Sequence, residues 1–398
     1  MNSEAGKIAE AQHVDTLQSE LGLSNDYMML RGKVRPALSN SKREYRVVEL
    51  FAGCGGSALG IDQACRENGF RVSMPLVIDN NPTACAVFQD NFPDARTLCG
   101  SVYDFFSHNL TDPMTVNEKV LLNEVREIDL LIGGPPCQGH SDLNNFSRRS
   151  DPKNELYSCM ARAARVLRPK HVVIENVQGI THDKSGVFQR TLADLVSQGY
   201  QVETGLVDLH AIGVPQRRRR HIVLASRILK PKPLSALEAK YSVSGGRNVH
   251  WAIGDLQDII HIDTATTPSR PSKDNAKRID YLFDNDLYDL PNEQRPPCHR
   301  DKKQTYNSVY GRLQWDWPSQ TITRGFYSMC MGRYVHPSRR RTLTAREAAR
   351  LQYFPDYFSF EKARSRTAMA TLIGNAVPMR LTFCVVDSLI EQELHQNG

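Results

Sequence analysis

Val47-Val48-Glu49-Leu50-Phe51-Ala52-Gly53-Cys54-Gly55-Gly56 joins an apolar run to a cluster of glycines. A short apolar run with β-branched members reads as a buried strand. The glycine cluster that follows ends the strand and allows the backbone to approach a ligand closely. Ser57 to Asn68 then sets Leu59, Ile61 and Ala64 among polar positions at helical spacing.

The same alternation continues outward. Leu76-Val77-Ile78-Asp79 reads as a second strand, and Pro82 to Asn91 as a helix with proline in its first turn. Ile128 to Ile132 is a third strand, running into Gly133-Gly134-Pro135-Pro136. Asn154 to Leu167 is helical, His171 to Glu175 a strand, Phe188 to Val196 helical, and His221 to Ala225 a further strand. Strands alternating with helices of this length predict an α/β fold with a mostly parallel sheet. Ligands in such folds sit at the carboxyl ends of the strands. Three unusual peptides fall there: Phe51 to Gly56, Pro135 to Gln138, and Glu175-Asn176-Val177.

Composition limits the function classes. The 398 residues suffice for two or three domains, and 40% hydrophobic with 24% charged residues is an ordinary globular balance. Apolar runs such as Ile128 to Ile132 are too short to cross a bilayer. Met1 to Arg31 lacks the apolar segment of a secretory signal, so a cytoplasmic protein is expected. Nine cysteines include no C-x-x-C pair, so neither a zinc site nor a disulfide framework is expected. A formal charge of +6 is only mildly basic. The arginines are clustered, however, at Arg148-Arg149, Arg217 to Arg220 and Arg339 to Arg341. Each run can be a solvated face. Three of them beside catalytic-looking loops favour a phosphate backbone as partner.

The three peptides carry the chemistry. The glycine turn suits either a tight strand-to-helix connection or a ligand cradle at a helix N-terminus. Asp79, ending the next strand, is placed to accept hydrogen bonds from a ribose, which points to a nucleoside-type cofactor. Cys137 follows two prolines at a strand end, near basic side chains, an arrangement for a thiolate nucleophile rather than a buried inert thiol. Glu175 either caps a loop or pairs with an arginine. Beside a reactive cysteine it becomes a proton donor or a hydrogen-bond partner for a base edge.

Phe51-Ala52-Gly53-Cys54-Gly55-Gly56, Pro135-Pro136-Cys137-Gln138, Glu175-Asn176-Val177 and Gln216-Arg217-Arg218-Arg219-Arg220 resemble, in order and spacing, the motifs of the DNA (cytosine-5)-methyltransferases. So do Gln320-Thr321-Ile322-Thr323-Arg324, Leu343-Thr344-Ala345-Arg346-Glu347-Ala348-Ala349-Arg350-Leu351-Gln352 and Gly374-Asn375-Ala376-Val377-Pro378. The resemblance spans residues 46 to 392. It implies a Rossmann-like, mostly parallel α/β sheet of the class I AdoMet-dependent methyltransferase type, with a smaller, irregular target-recognition domain. Residues 1–44 would be an N-terminal extension, 45–227 the catalytic AdoMet-binding domain and 228–318 the recognition domain. Residues 319–398 would return to complete the catalytic domain.

The implied cofactor is S-adenosyl-L-methionine, near Phe51, Cys54, Gly56, Asp79, Asn80, Val102, Pro136, Leu156, Asn375 and Ala376. The implied catalytic residues are Cys137, attacking carbon 6 of cytosine, and Glu175, hydrogen-bonding ring nitrogen 3 and the exocyclic amine. Arg218 would bind the cytosine carbonyl, and Arg220 would support the catalytic loop. The target base would have to leave the duplex, and Gly139 to Asp151 would close over the DNA. The implied partner is double-stranded DNA, met by a monomer in a bacterial cytoplasm at the nucleoid, with room for a cognate restriction endonuclease. Two positions depart from the family: Gly100-Ser101-Val102 stands where an aspartate is usual, and His140 where a phenylalanine is usual. Other readings are methylation of structured RNA on the same fold, a catalytically silent DNA-binding regulator, and a nucleotide-dependent oxidoreductase. The last leaves Cys137 and Glu175 without a role.

Overall fold

The computed structural model describes residues 25–37, 41–136, 156–182, 185–259, 263–301 and 309–397. Its centre is β1 (Glu44–Leu50), in which Val47, Val48 and Leu50 are fully buried. Successive strand side chains point to opposite faces of a sheet. Val47 therefore joins one apolar cluster, with α2 (Gly56–Glu67) and α12 (Met379–Asn397), while Val48 and Leu50 join another on the reverse face. Burying each such side chain contributes roughly 1.5–3 kcal/mol, so a strand with core on both faces belongs at the middle of the sheet.

β1 is flanked by β2 (Arg71–Asp79) and β4 (Leu130–Gly133), both parallel to it. With β3 (Thr97–Cys99), β5 (His171–Val177), β6 (Gln201–Asp208) and β8 (Arg219–Ser226) they form a seven-stranded sheet in the order β3-β2-β1-β4-β5-β8-β6. All neighbours are parallel except that β8 runs antiparallel to both β5 and β6. The sheet is thus the mostly parallel α/β type expected. One strand is reversed, and that reversal matters for the site: β8 begins at the sheet edge where the others end. The arginine run at its start therefore lies beside the carboxyl ends of β1, β4 and β5.

Helices cover both faces. On the α2 side, α12 packs so closely that a side chain on Gly60 would strike the backbone of Met379 and Phe383. On the reverse side lie α4 (Val116–Val125), α5 (Ser158–Leu167) and α6 (Val187–Ser197). Three of these elements, β3, α4 and β6, are not legible as sequence patterns. β6 is an edge strand whose burial alternates weakly, and α4 leaves Val116 and Val120 exposed. The chain from Arg366 to Gln396 contains a stretch apolar and long enough, by composition, to cross a membrane, and most of that stretch is buried inside the protein. It belongs to the core, as α11 (Arg366–Asn375) and α12.

The chain after β8 divides. α7 (Leu234–Tyr241) and α8 (Val249–Ile253) contribute Leu234, Leu237, Val249 and Ile253 to the large core. A separate small core gathers Ile279 and Leu282 of α9 (Lys273–Asp284) with Leu290, Tyr310, Met329 and Val335. At the N-terminal side, α1 (Asn25–Arg31) is tied down by ion pairs: Asp26 with Arg247 and Arg380, and Arg31 with Asp255.

Arg339, Arg340 and Arg341, expected as a basic cluster, are each paired with carboxylates of this chain. Arg339 pairs with Asp258, Arg340 with Asp280 and Asp284, and Arg341 with the buried Glu347 at 2.7 Å. The run is a set of intramolecular clasps. Arg148 and Arg149 lie outside the described residues.

Candidate active site

The carboxyl ends of β1, β2, β4 and β5 open into a cleft of about 470 Å³. Its first wall is the turn after β1. Phe51 holds φ +57° and Gly53 also φ +57°, both left-handed. For Phe51 that conformation costs of order 1–3 kcal/mol, and such strain persists where the surroundings over-determine it, often at ligand sites. Gly53 has open space where a side chain would be, whereas Gly56 has none: a Cβ there would come within 2.5 Å of the Val377 carbonyl oxygen. Gly56 therefore lets α2 start directly against Ala376 and Val377, just beyond the end of α11, and the two peptides form one continuous rim.

Asp79, at the end of β2, stitches the turn together. Its carboxylate accepts from Gly53 N and from Asn81 N, each at 2.8 Å. Burial raises its pKa above the usual aspartate value, and these amides oppose the rise. Beneath it Glu49 is buried in β1. Burial, eased by a hydrogen bond from Ser57 and reinforced by the charge of Asp79, pushes its carboxyl up to about 8. Glu49 thus favours its neutral form more than an ordinary glutamate does.

The opposite wall carries Glu175, Arg218 and Arg220. Arg220 Nε lies 2.5 Å from Glu175 Oε1, both groups being largely shielded from solvent. Arg218 is buried and donates to Gln352 Oε1 and the Ala376 carbonyl, each at 3.3 Å. Gln352 in turn donates to the Ile373 carbonyl at 2.7 Å and accepts from Gln216 at 2.9 Å. The buried amide thus joins the arginine segment, α11 and the end of α10 (Ala345–Leu351). Alternation along the segment turns Arg218 and Arg220 toward the cleft and Arg217 and Arg219 away from it.

Phe51, Cys54, Gly56, Asp79, Asn80, Val102, Pro136, Leu156, Asn375 and Ala376 all line this cleft, as do Glu175, Arg218 and Arg220. Cys137 lies outside the described residues, and so does His140. Pro135 and Pro136, immediately before Cys137, line the cleft, and the Pro135 carbonyl accepts from Asn176 at 3.2 Å. Cys54 is buried and its thiol is pushed up to about 12 by burial, which makes it an inert wall residue. Ser101 lines the cleft and caps a short helical turn, its hydroxyl accepting from Tyr103 N at 3.3 Å. The nearest aspartate in sequence, Asp104, is occupied with the Ser101 amide at 2.8 Å.

Gln352, Thr371 and Leu372 were not singled out by the sequence. The latter two line the cleft and Gln352 braces it from behind. Gln352 stands in a recognisable peptide, but nothing in the linear order says that it faces Arg218, 134 residues away.

Comparison with known proteins agrees with this architecture. The family of C-5 cytosine-specific DNA methylases matches residues 45–391. The Type II methyltransferase M1.BsuMI of Bacillus subtilis is 42% identical over 360 residues, covering 90% of this chain and 83% of that protein. The Type II methyltransferase M.XorII of Xanthomonas oryzae is 31% identical over 376 residues, covering 85% of this chain and 82% of that one. Among solved structures, Schizosaccharomyces pombe Dnmt2 methyltransferase superposes with a TM-score of 0.61 at 19% identity, over 88% of this chain and 99% of that one. Entamoeba histolytica EhMeth gives 0.57 at 15%, over the same shares. Identities this low show a common fold. The family match, which covers most of the chain, shows more: this protein belongs to the C-5 cytosine-specific DNA methylases.

Proposed function

We propose that the protein moves a methyl group from S-adenosylmethionine to carbon 5 of a flipped-out cytosine in double-stranded DNA, by way of a covalent adduct at Cys137. The observation that carries this reading is the meeting, in one cleft, of the strained Phe51–Gly56 turn and Asp79 with Glu175, Arg218 and Arg220. A nucleoside and an amino acid fit the available volume. The open position at Gly53 and the partly exposed Asp79 carboxylate suit a ribose, so the residues present fit the cofactor. When bound, S-adenosylmethionine supplies an electrophilic methyl group.

The protein's own groups do the rest. Carbon 5 of cytosine is a poor nucleophile until sulfur adds at carbon 6. The Cys137 thiolate forms that bond, and the ring then carries an electron-rich carbon 5. Glu175, oriented by Arg220, hydrogen-bonds ring nitrogen 3 and the exocyclic amine as charge develops there. Arg218, fixed by Gln352, holds the carbonyl oxygen. After carbon 5 gains the methyl group it loses its proton, and the electron pair of that bond expels the thiolate. A base inside a duplex cannot reach these groups, so the cytosine must be extruded.

In the same reading residues 45–227 and 319–398 form the catalytic domain and 228–318 the recognition domain. The small core around Ile279, Leu282 and Tyr310 supports a separate lobe, although Leu234 to Leu256 share the large core. The same reading has the protein acting as a monomer in a bacterial cytoplasm, beside a restriction endonuclease for the same site, and the Type II designation of the bacterial relatives M1.BsuMI and M.XorII supports the last of these. The test is to incubate the protein and labelled S-adenosylmethionine with DNA or tRNA containing 5-fluorocytosine, from which carbon 5 cannot lose its substituent. A stable protein–DNA adduct, absent in Cys137→Ser, is expected. An adduct with tRNA alone would overturn the DNA assignment, and none with either, with DNA binding intact, would point to a silent DNA-binding protein.

A further inference from the structure

Of the arginines in the run from 217 to 220, three are accounted for. Arg218 is anchored in the cleft wall, Arg219 lies 3.5 Å from Asp208, and Arg220 pairs with Glu175. The run at 339–341 is likewise taken up by carboxylates. Arg217 is different. It is exposed, and among the described residues no carboxylate lies within ion-pair distance of it. Its guanidinium instead stacks on Trp317, 4.9 Å from the ring centroid, and that indole is itself 53% exposed.

The support beneath this pair is rigid. β7 (Gln216–Arg217) pairs in parallel with β9 (Ser319–Gln320), placing Gln216 opposite Ser319 and Arg217 opposite Gln320. Thr321 Oγ1 donates to the Arg217 carbonyl at 2.9 Å, and the buried Gln216 accepts from Ile322 N at 3.0 Å. The Trp317 carbonyl accepts from Val249 N at 2.9 Å. A long side chain loses much rotamer entropy when it is immobilised. Here the indole and the ribbon have already restricted it, one residue from a group in the cleft wall. A flat, exposed guanidinium on the outward side of the segment that carries Arg218 and Arg220 of the cleft wall is suited to a phosphodiester.

We propose that Arg217, stacked on Trp317, binds a backbone phosphate of the substrate DNA and acts as a positioning residue for the target strand. This rests on the DNA reading of the preceding subsection. A phosphate contact has a signature that separates it from a base contact. It weakens binding on all sequences alike, and its removal lowers the steepness of the salt dependence by about one in log–log slope.

The test uses the full chain, cofactor and unmethylated DNA of mixed sequence, following methyl transfer and equilibrium binding between 50 and 300 mM salt. Arg217→Gln is expected to raise the KM for DNA about tenfold, leave kcat within about twofold, and lower the salt slope by about one. Arg217→Lys should keep the slope while losing part of the affinity. Trp317→Ala should raise KM about threefold, with Trp317→Phe restoring it. An unchanged KM and slope in Arg217→Gln overturns the proposal, as does a loss confined to particular DNA sequences or to kcat. Arg217 is exposed, so its variant is expected to fold, and a circular dichroism spectrum checks this. If the wild-type protein itself methylates no DNA, both this proposal and the reading beneath it fall. If it does and Arg217→Gln matches it, only the phosphate contact falls.

Discussion

Glu175 and Arg220 meet at 2.5 Å across the antiparallel pairing of β5 and β8, where Val177 stands opposite Arg220 in register. The two side chains come from segments that run in opposite directions yet end at the same edge of the sheet. One carboxylate oxygen is thereby committed to an arginine, and the residue lines the cleft. A carboxylate held in this way is oriented before any substrate arrives, as the proposed hydrogen bonds to a reacting base require.

Arg220→Ala is expected to lower kcat by about 10²-fold, with cofactor affinity little changed, because Arg220 acts through Glu175. Glu175→Gln should cost at least as much. The double variant should fall well short of the product of the two losses, as expected for residues in direct contact. Steady-state kinetics on the four proteins give the coupling. Full multiplicativity would sink the idea that they act as a pair.

Gln352→Leu removes an amide that serves three partners, Gln216, Arg218 and the Ile373 carbonyl. Leaving such buried groups unsatisfied costs on the order of 1–3 kcal/mol each. The variant should therefore lose thermal stability and also lose kcat, since Arg218 is freed to move. Gln352→Glu keeps the acceptor for Arg218 and should recover part of the kcat loss. Calorimetry together with single-turnover rates distinguishes the two effects.

Asp79→Asn should weaken S-adenosylmethionine binding by about tenfold or more, through loss of a charged acceptor worth roughly 1.5–3 kcal/mol. The pH dependence has a definite sign. Burial raises the Asp79 pKa, so on acidification its carboxylate takes up a proton at a higher pH than an ordinary aspartate does. Cofactor affinity should accordingly begin to fall above about pH 4, the usual aspartate value, and the Asn variant should lack that fall. Titration calorimetry from pH 8 downward is the measurement. An equal decline in both proteins would assign it to another group.

Glu118 and Arg162 form a buried pair, bidentate at 2.7 Å, beneath the loop that follows β3. Burial acts to raise the Glu118 pKa, but the Arg162 hydrogen bond and the Ser107 and Thr115 amides prevail and bring it down to about 2. A depressed carboxylate contributes stability that is present above its unfolded pKa. That contribution is lost as pH falls from near 4.3 toward the folded value. Removing one partner strands the other, so Glu118→Gln should destabilise by about 3 kcal/mol. Urea unfolding at pH 7 and pH 3 should show the difference between wild type and variant shrinking at the lower pH.

Much of this protein is legible in its sequence because local rules and the global fold agree. The apolar runs at Val47, Leu76, Ile128 and His171 are buried on both faces, so each becomes a parallel strand wherever the chain puts it. The glycine turn at Phe51–Gly56 and the diproline at Pro135-Pro136 carry their backbone requirements with them. Glu175 could be named from its place at the end of an apolar run, and Arg218 from the resemblance carried by Gln216 to Arg220.

What the order of residues could not carry was direction and partnership. The reversal of β8, which brings Arg218 and Arg220 to the ends of parallel strands, follows from pairing with the polar edge strand β6, invisible as a periodicity. Arg339 to Arg341 and Arg217 look alike as charge. Only the fold surrounds the first three with carboxylates and sets the last on an exposed indole. The physical reason is range. Propensity and hydrophobic period act over a few residues, whereas the neutralisation of a charge depends on which distant groups the completed core brings within a few ångströms.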